Sequence, residues 1–72
     1  MKVKKKTKYV HEGRYVAEVD VDLILTEDEW APYLSVEDAE RLDEVRKALQ
    51  KEDFESASRH GRVFRLEPVK EP

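Results

Sequence analysis

The feature that most constrains this fold is an alternation of apolar and acidic side chains over residues 15–25. Successive side chains of a β-strand point to opposite faces of a sheet, so this period of two predicts a strand with one buried face. The exposed face of this strand would carry Glu18, Asp20 and Asp22. The predicted buried face holds Tyr15, Ala17, Val19, Val21, Leu23 and Leu25.

A second, lysine-rich strand is predicted over residues 3–10, joined to the first by a turn at Gly13. A three-residue loop at residues 11–13, with Gly13 in the left-handed conformation, sets the predicted register. In this register Lys6 faces Glu18, and the lysines form one side of an exposed ladder of ion pairs.

Charge is unevenly distributed along the chain. Residues 1–17 carry +5, residues 18–55 carry −10 and residues 56–72 carry +2, for a net charge of −3. The acidic total argues against a general binder of polyanions. The alternative is a nucleic-acid-binding hairpin. Its basic residues would be Lys4, Lys6, Lys8 and Arg14.

The length of 72 residues allows one small domain, residues 1–72, with a frayed end over about residues 70–72. The absence of cysteine excludes a disulfide scaffold and a thiolate metal site. No apolar run is long enough to span a membrane, and no secretory signal follows the N-terminal lysines. We therefore expect a cytoplasmic protein.

Residues 35–50 have the apolar spacing of an amphipathic helix that begins after the N-cap Ser35. A second, shorter helix is predicted to begin after Asp53 and to close at Gly61, and a last strand follows over residues 62–69. The predicted buried stripe of the first helix holds Val36, Ala39, Leu42, Val45, Ala48 and Leu49, with Leu42 among the most buried side chains.

Residues 30–34 follow a polar turn at residues 26–29 and contain Trp30, Pro32 and Tyr33. Pro32 disfavours a helix, so this segment is predicted to be either a short edge strand or an ordered loop. Tryptophan and tyrosine are enriched at binding hot spots, which makes Trp30 and Tyr33 candidate partner contacts. The alternative is that both side chains pack the segment onto the sheet.

No group of residues predicts catalysis, because the chain has two glycines and no phosphate-binding loop or nucleophile–base spacing. The carboxylates of residues 18–22, with His11, suggest a metal site, but the predicted lysine partners favour a solvated, ion-paired face. His60 is expected to complement the end of the second helix. We predict neither an enzyme nor a bound cofactor or metal.

The chain resembles a group of short uncharacterised bacterial proteins, some of which look like the antitoxin halves of two-gene toxin–antitoxin operons. The resemblance rests on Trp30-Ala-Pro-Tyr-Leu-Ser-Val-Glu-Asp-Ala39, on Tyr15-Val-Ala-Glu-Val19 and on the segment 62–69. It implies an antitoxin-like role. The order of the elements is also loosely similar to HicB-type antitoxin domains, although Thr26-Glu-Asp-Glu29 replaces their glycine-rich connection.

We therefore predict an α+β fold: a small, mainly antiparallel sheet of a hairpin and a C-terminal strand, two helices on one face, and the order ββ(β)ααβ. The predicted function is a non-catalytic, antitoxin-like protein-binding module whose partner is a small basic protein, such as a toxin encoded next to it. The acidic segment 18–55 would complement that partner. The predicted contacts are Trp30, Tyr33, Glu37, Glu40 and Glu44.

Overall fold

A computed structural model describes residues 2–27 and 32–70. The elements are β1 (Lys2–Glu12), β2 (Tyr15–Leu25), β3 (Tyr33–Leu34), α1 (Val36–Gln50), α2 (Phe54–Ser58) and β4 (Arg62–Arg65). The antiparallel sheet and the order βββααβ confirm the predicted α+β class. The predicted turn at residues 28–29, Trp30 and the frayed end at residues 71–72 lie outside the described residues.

The central strand of the sheet is β2. One of its edges pairs with β1 along the whole hairpin. The other edge pairs with β4 near Tyr15–Glu18 and with β3 at Leu23–Ile24, so that residues 19–22 lie between two short strands. The core is formed by one face of the β1–β2 hairpin and by residues of both helices, which therefore cover the same face of the sheet.

The hairpin register differs from the predicted one. Lys6 lies opposite Val21 rather than Glu18, and the loop consists of Gly13 and Arg14 because Glu12 pairs with Tyr15. Gly13 does adopt the expected left-handed conformation, with a φ of 59°. Glycine adopts this conformation without the steric penalty of other residues, so the turn residue was identified correctly but its position in the loop was not.

Burial of Val10 explains the observed register. Val10 lies opposite Ala17, on the core side of the sheet, and is only 2% exposed. The predicted register would have placed Val10 on the solvated face with the carboxylates. Burying a valine contributes about 1.5–3 kcal/mol, whereas an exposed ion pair contributes about 0.2–1 kcal/mol. The apolar contact therefore outweighs the ladder of ion pairs.

The buried part of α1 is restricted to its C-terminal half. The predicted stripe is wrong at its start, because Val36 is 73% exposed and Ala39 is also exposed. Leu42 is half-buried rather than among the most buried side chains. The fully buried side chains of α1 all lie in its C-terminal half, and Leu42 packs against the core as a partly buried residue. Among the described residues, the buried side chains are Val10, Ala17, Val19, Val21, Val45, Ala48, Leu49 and Ala57.

The predicted N-caps of both helices are confirmed. The side-chain oxygen of Ser35 accepts a hydrogen bond from the backbone N–H of Asp38, at 3.1 Å. The carboxylate of Asp53 accepts hydrogen bonds from the hydroxyl of Ser56, at 2.7 Å, and from its backbone N–H, at 3.2 Å, and these contacts lower the pKa of Asp53. Within the described residues, neither helix has the length and apolar composition needed to cross a membrane.

Candidate functional site

The outer surface of α1 brings three predicted contact residues together. Glu37, Glu40 and Glu44 are all exposed on this helix, and they recur at the three- and four-residue spacing that places side chains on neighbouring turns. A shallow groove beside them is lined by Val36, Ala39, Glu40, Asp43, Glu44 and Lys47. We call these residues, with Glu37, the acidic face of α1.

The charge of the acidic face is only partly compensated. Lys47 lies 3.1 Å from a carboxylate oxygen of Asp43, and Nε2 of His60 lies 3.1 Å from a carboxylate oxygen of Glu44. Among the residues that the structure describes, Glu37 and Glu40 have no ion pair. The face is therefore negatively charged, and its two apolar side chains, Val36 and Ala39, are open to solvent.

Two side chains of α1 fix this helix to the sheet. The backbone N–H of Asp22 donates to the carboxylate of Asp38, at 2.9 Å, and Arg41 donates to the carbonyl oxygen of Asp20, at 3.3 Å. Arg41 also donates to the carbonyl oxygen of His60 and contacts Asp38 at 2.9 Å. These contacts lie along the β2 edge between β3 and β4, where strand partners are missing.

The hydrogen bond from Asp22, together with Arg41, holds the pKa of Asp38 below its ordinary value. A carboxylate that accepts a backbone N–H and faces a guanidinium stays ionised because both contacts favour its charged form. Local sequence shows only that Asp38 belongs to the first turn of α1. The contact with Asp22 involves a residue sixteen positions away, which local spacing does not reveal.

The other predicted contact residues do not join the acidic face. Tyr33 is 42% exposed and lies opposite Ile24, so its side chain is on the sheet face that the helices leave uncovered. Trp30 lies outside the described residues. The structure therefore separates Tyr33 from the glutamates, although they are close in sequence.

The sheet face opposite the helices is the uncovered face. It is formed by the odd-numbered residues of β1 and the even-numbered residues of β2 and β4. Tyr33 of β3 and Leu66, which follows β4, also belong to it. Sequence analysis did not identify this surface, because the predicted register assigned its residues to different faces. Five exposed large apolar side chains lie on it: Val3, Tyr9, Tyr33, Phe64 and Leu66.

The carboxylates of β2 also lie on the uncovered face, each with a polar neighbour. Glu18 forms an ion pair with Arg62 at 3.0 Å, and Asp20 accepts a hydrogen bond from Thr7 at 3.0 Å. Lys5 stands opposite Asp22. Within residues 2–27 and 32–70, no group of three His, Cys, Asp or Glu side chains is arranged to hold a metal ion.

A separate groove lies at the hairpin end of the molecule, beside the C-terminus of α1. The hydroxyl of Tyr15 donates to Glu52 at 2.9 Å, and this hydrogen bond, together with burial, raises the pKa of Tyr15. A carboxylate oxygen of Glu12 accepts a hydrogen bond from the side-chain amide of Gln50, at 2.9 Å, and lies 3.6 Å from a guanidinium nitrogen of Arg46. These contacts fasten the end of α1 to the hairpin, which is a structural role.

The lysines of β1 are not paired with the acids of β2 as predicted. Lys4 and Lys6 lie opposite Leu23 and Val21, on the core side of the sheet, and both are exposed. Lys8 is half-buried opposite Val19, so its aliphatic part covers the edge of the core. Among the described residues, none of the β1 lysines has an ion pair.

Comparison of the chain with protein-family models, with curated proteins and with solved structures found no match.

Proposed function

We propose that this chain is a non-catalytic, antitoxin-like protein-binding module that binds a small basic protein through the acidic face of α1. One observation carries the proposal: Val36 is 73% exposed within a group of carboxylates. The sequence pattern predicts Val36 on the buried stripe of α1, but the structure places it in solvent. Its exposure leaves apolar area that a partner can cover.

The two kinds of side chain on this face have complementary roles. Val36 and Ala39 supply apolar contact, which favours a bound state when water is removed. Glu37 and Glu40, which have no ion pair among the described residues, attract and orient a basic partner. A partner with lysines or arginines around an apolar patch would match both features.

The contacts of Asp38 and Arg41 with β2 support the proposal in a second way. They hold the N-terminal half of α1 against the sheet, although this half contributes no buried side chain to the core. A surface that is already ordered loses less conformational entropy on binding. The acidic face is therefore prepared for a partner without a change of fold.

The resemblance to antitoxin-like proteins supplies the class of partner, a toxin encoded beside this chain. Trp30 stays a proposed contact, because it precedes α1 by only a few residues. Tyr33 is on the other side of the sheet and is not included in this surface.

Co-purification tests the proposal. The chain is co-expressed with the product of the neighbouring reading frame, and the affinity of the complex is measured at several salt concentrations. Replacing Glu37 and Glu40 by lysine should weaken binding at least about tenfold, or 1.4 kcal/mol, because attraction becomes repulsion. The affinity of the unchanged chain should fall as salt rises.

The matched control is Glu55→Lys, a charge reversal on α2 at a side chain that is 88% exposed. This variant should bind as the unchanged chain does. The absence of a complex with the neighbouring product would contradict the antitoxin-like role. Equal losses in the control and in the Glu37/Glu40 variant would contradict the placement of the interface.

A nucleic-acid-binding hairpin is the second candidate, and the observed register favours it. Lys4 and Lys6 project on the side of the sheet opposite the acids of β2, so those acids do not face them. Retention on a nucleic-acid column should then fall steeply with salt, because phosphate contacts release counterions. Replacing Lys4 and Lys6 by glutamine should reduce retention, whereas Lys51→Gln, at an exposed lysine after α1, should not. Equal retention of all three proteins would exclude this candidate.

A further inference from the structure

We propose that the uncovered face of the sheet binds a second copy of this chain, giving a symmetric dimer with the helices on the outside. Tyr9 is 65% exposed and Val3 is 60% exposed on this face. Tyr33, Phe64 and Leu66 are between 42% and 45% exposed. Such a concentration of large apolar side chains on one face marks an interaction surface.

Apolar side chains lie at both ends of this face. Val3, Ile24 and Tyr33 form an apolar row across three strands at one end. At the other end, Val16 lies opposite Phe64, with Leu66 beyond it. Two copies related by a two-fold axis therefore place apolar rows on apolar rows, which is what an isologous interface requires.

The middle of the face is polar and carries both positive and negative side chains. Glu18 contacts Arg62, and Asp20 accepts from Thr7. Lys5 lies opposite Asp22. A nearly balanced surface of this kind gives no preference for a strongly acidic or basic partner, in contrast to the acidic face of α1. It fits a second copy of the chain, whose uncovered face has the same nearly balanced charge.

Pairing through the open edge of β1 is disfavoured as a route to a dimer. This edge carries five lysines over residues 2–8. An antiparallel pairing of two such edges would place lysine opposite lysine, which destabilises a sheet. Lysines on an edge strand are a common means of preventing this association. The uncovered face is therefore favoured over the β1 edge as the surface that binds a second copy.

The dimensions and the small core agree with this assignment. The Cα atoms span 50 × 31 × 14 Å, so the domain is a slab with broad faces. Such a face has room for the roughly 800 Å² per partner that a standard interface buries. Within residues 2–27 and 32–70, eight side chains are buried in the core, three of them alanine. Chains of this size often gain stability by association.

This inference is independent of the proposed function, because the acidic face of α1 lies on the other side of the sheet. A dimer would present two acidic faces, one on each outer surface. Binding of a basic partner and self-association can therefore be tested separately.

Sedimentation of the purified full chain over a concentration series tests the dimer. The unchanged chain should approach twice its mass of 8.5 kDa. Tyr33→Glu and Phe64→Glu, at opposite ends of the face, should each raise the dimer dissociation constant at least tenfold. The matched control is Val36→Glu, which introduces the same charge at an exposed apolar residue on α1 and should leave this constant unchanged.

A purely monomeric unchanged chain would overturn the proposal, as would a dimer that persists in a Tyr33→Glu/Phe64→Glu double variant. Intermolecular NOEs on a mixture of labelled and unlabelled unchanged chains provide a test that does not depend on the variants' folding. They should arise from side chains of the uncovered face, such as Val3 and Tyr33. NOEs from the β1 edge or from α1 alone would overturn the proposal.

Discussion

The carboxylate of Asp38 on α1 accepts the backbone N–H of Asp22 on β2, at 2.9 Å, at a sheet edge where no described residue pairs as a strand. A helix side chain thus takes the place of a strand at this point, while Arg41 contacts the carbonyl oxygen of Asp20 two residues away. Each contact satisfies a backbone group of β2 that pairs with no described strand on this edge, so these contacts favour one placement of α1. That placement exposes the acidic face.

Asp38→Asn should lower the free energy of unfolding by about 1–2 kcal/mol at neutral pH, because a charged acceptor is replaced by a neutral one. The pKa of Asp38 is lowered in the folded chain, so its stabilisation is present above the ordinary carboxylate pKa and is lost as the pH falls through the folded value. The difference between the variant and the unchanged chain should therefore shrink below about pH 4.

Urea unfolding at a series of pH values measures this difference. Asp43→Asn is the control, because Asp43 is an exposed residue of the same helix that pairs only with Lys47. It should change stability by less than about 0.5 kcal/mol at neutral pH. A loss as large as that of Asp38→Asn would refute the special role of the contact with Asp22.

A double-mutant cycle tests the observed register. Glu18 on β2 and Arg62 on β4 lie opposite each other, with a guanidinium nitrogen 3.0 Å from a carboxylate oxygen. Replacing them by glutamine, singly and together, should reveal a coupling free energy of about 0.2–1 kcal/mol at low salt. Glu18 and Lys6 are on opposite faces of the sheet and should show no coupling. A larger coupling for Glu18 with Lys6 would restore the register predicted from sequence.

Leu49→Ala should lower the free energy of unfolding by about 2–5 kcal/mol, because Leu49 is 2% exposed and belongs to the core. Leu42→Ala should cost less, since Leu42 is half-buried. Denaturant midpoints of the two variants give the comparison. If Leu42→Ala is the more destabilised protein, α1 is rotated or shifted from the position described.

The two glycines should differ in their tolerance of alanine. A Cβ at Gly61 would overlap the carbonyl oxygen of Glu18, so Gly61→Ala should cost about 3 kcal/mol. Gly13 has free space around it but a φ of 59°, so Gly13→Ala should cost only about 1 kcal/mol. Thermal unfolding of the two variants shows which is less stable. If Gly13→Ala is the less stable of the two, β2 and residue 61 are not in close contact.

Trp30 is the only tryptophan, so its fluorescence reports on this residue alone. If Trp30 contacts the partner, its emission should shift to shorter wavelength when the complex forms. Trp30→Ala should weaken the complex by at least about 2 kcal/mol without unfolding the chain. An unfolded variant would instead assign Trp30 to the core, and unchanged binding by a folded variant would remove it from the interface.

Local sequence patterns determined the elements themselves. The alternation over residues 15–25 predicted the strand β2 with its correct ends, and Ser35 marked the start of α1. The three glutamates of the acidic face were predicted to lie together because helical spacing alone places them on neighbouring turns. Each of these predictions depends on residues that are close in sequence, where the geometry of a strand or helix is known in advance.

The hairpin register and the depth of each side chain were decided by the tertiary structure. Lys6 was expected opposite Glu18, but burying Val10 against Ala17 is worth more than exposed ion pairs. Val36 and Leu49 were both predicted to belong to the buried stripe of α1, but they are thirteen residues apart, so at about 100° per residue their side chains point about 140° apart and only Leu49 lies over the sheet. Local spacing places residues on a strand or helix, whereas contacts between distant segments decide which face of that element is covered.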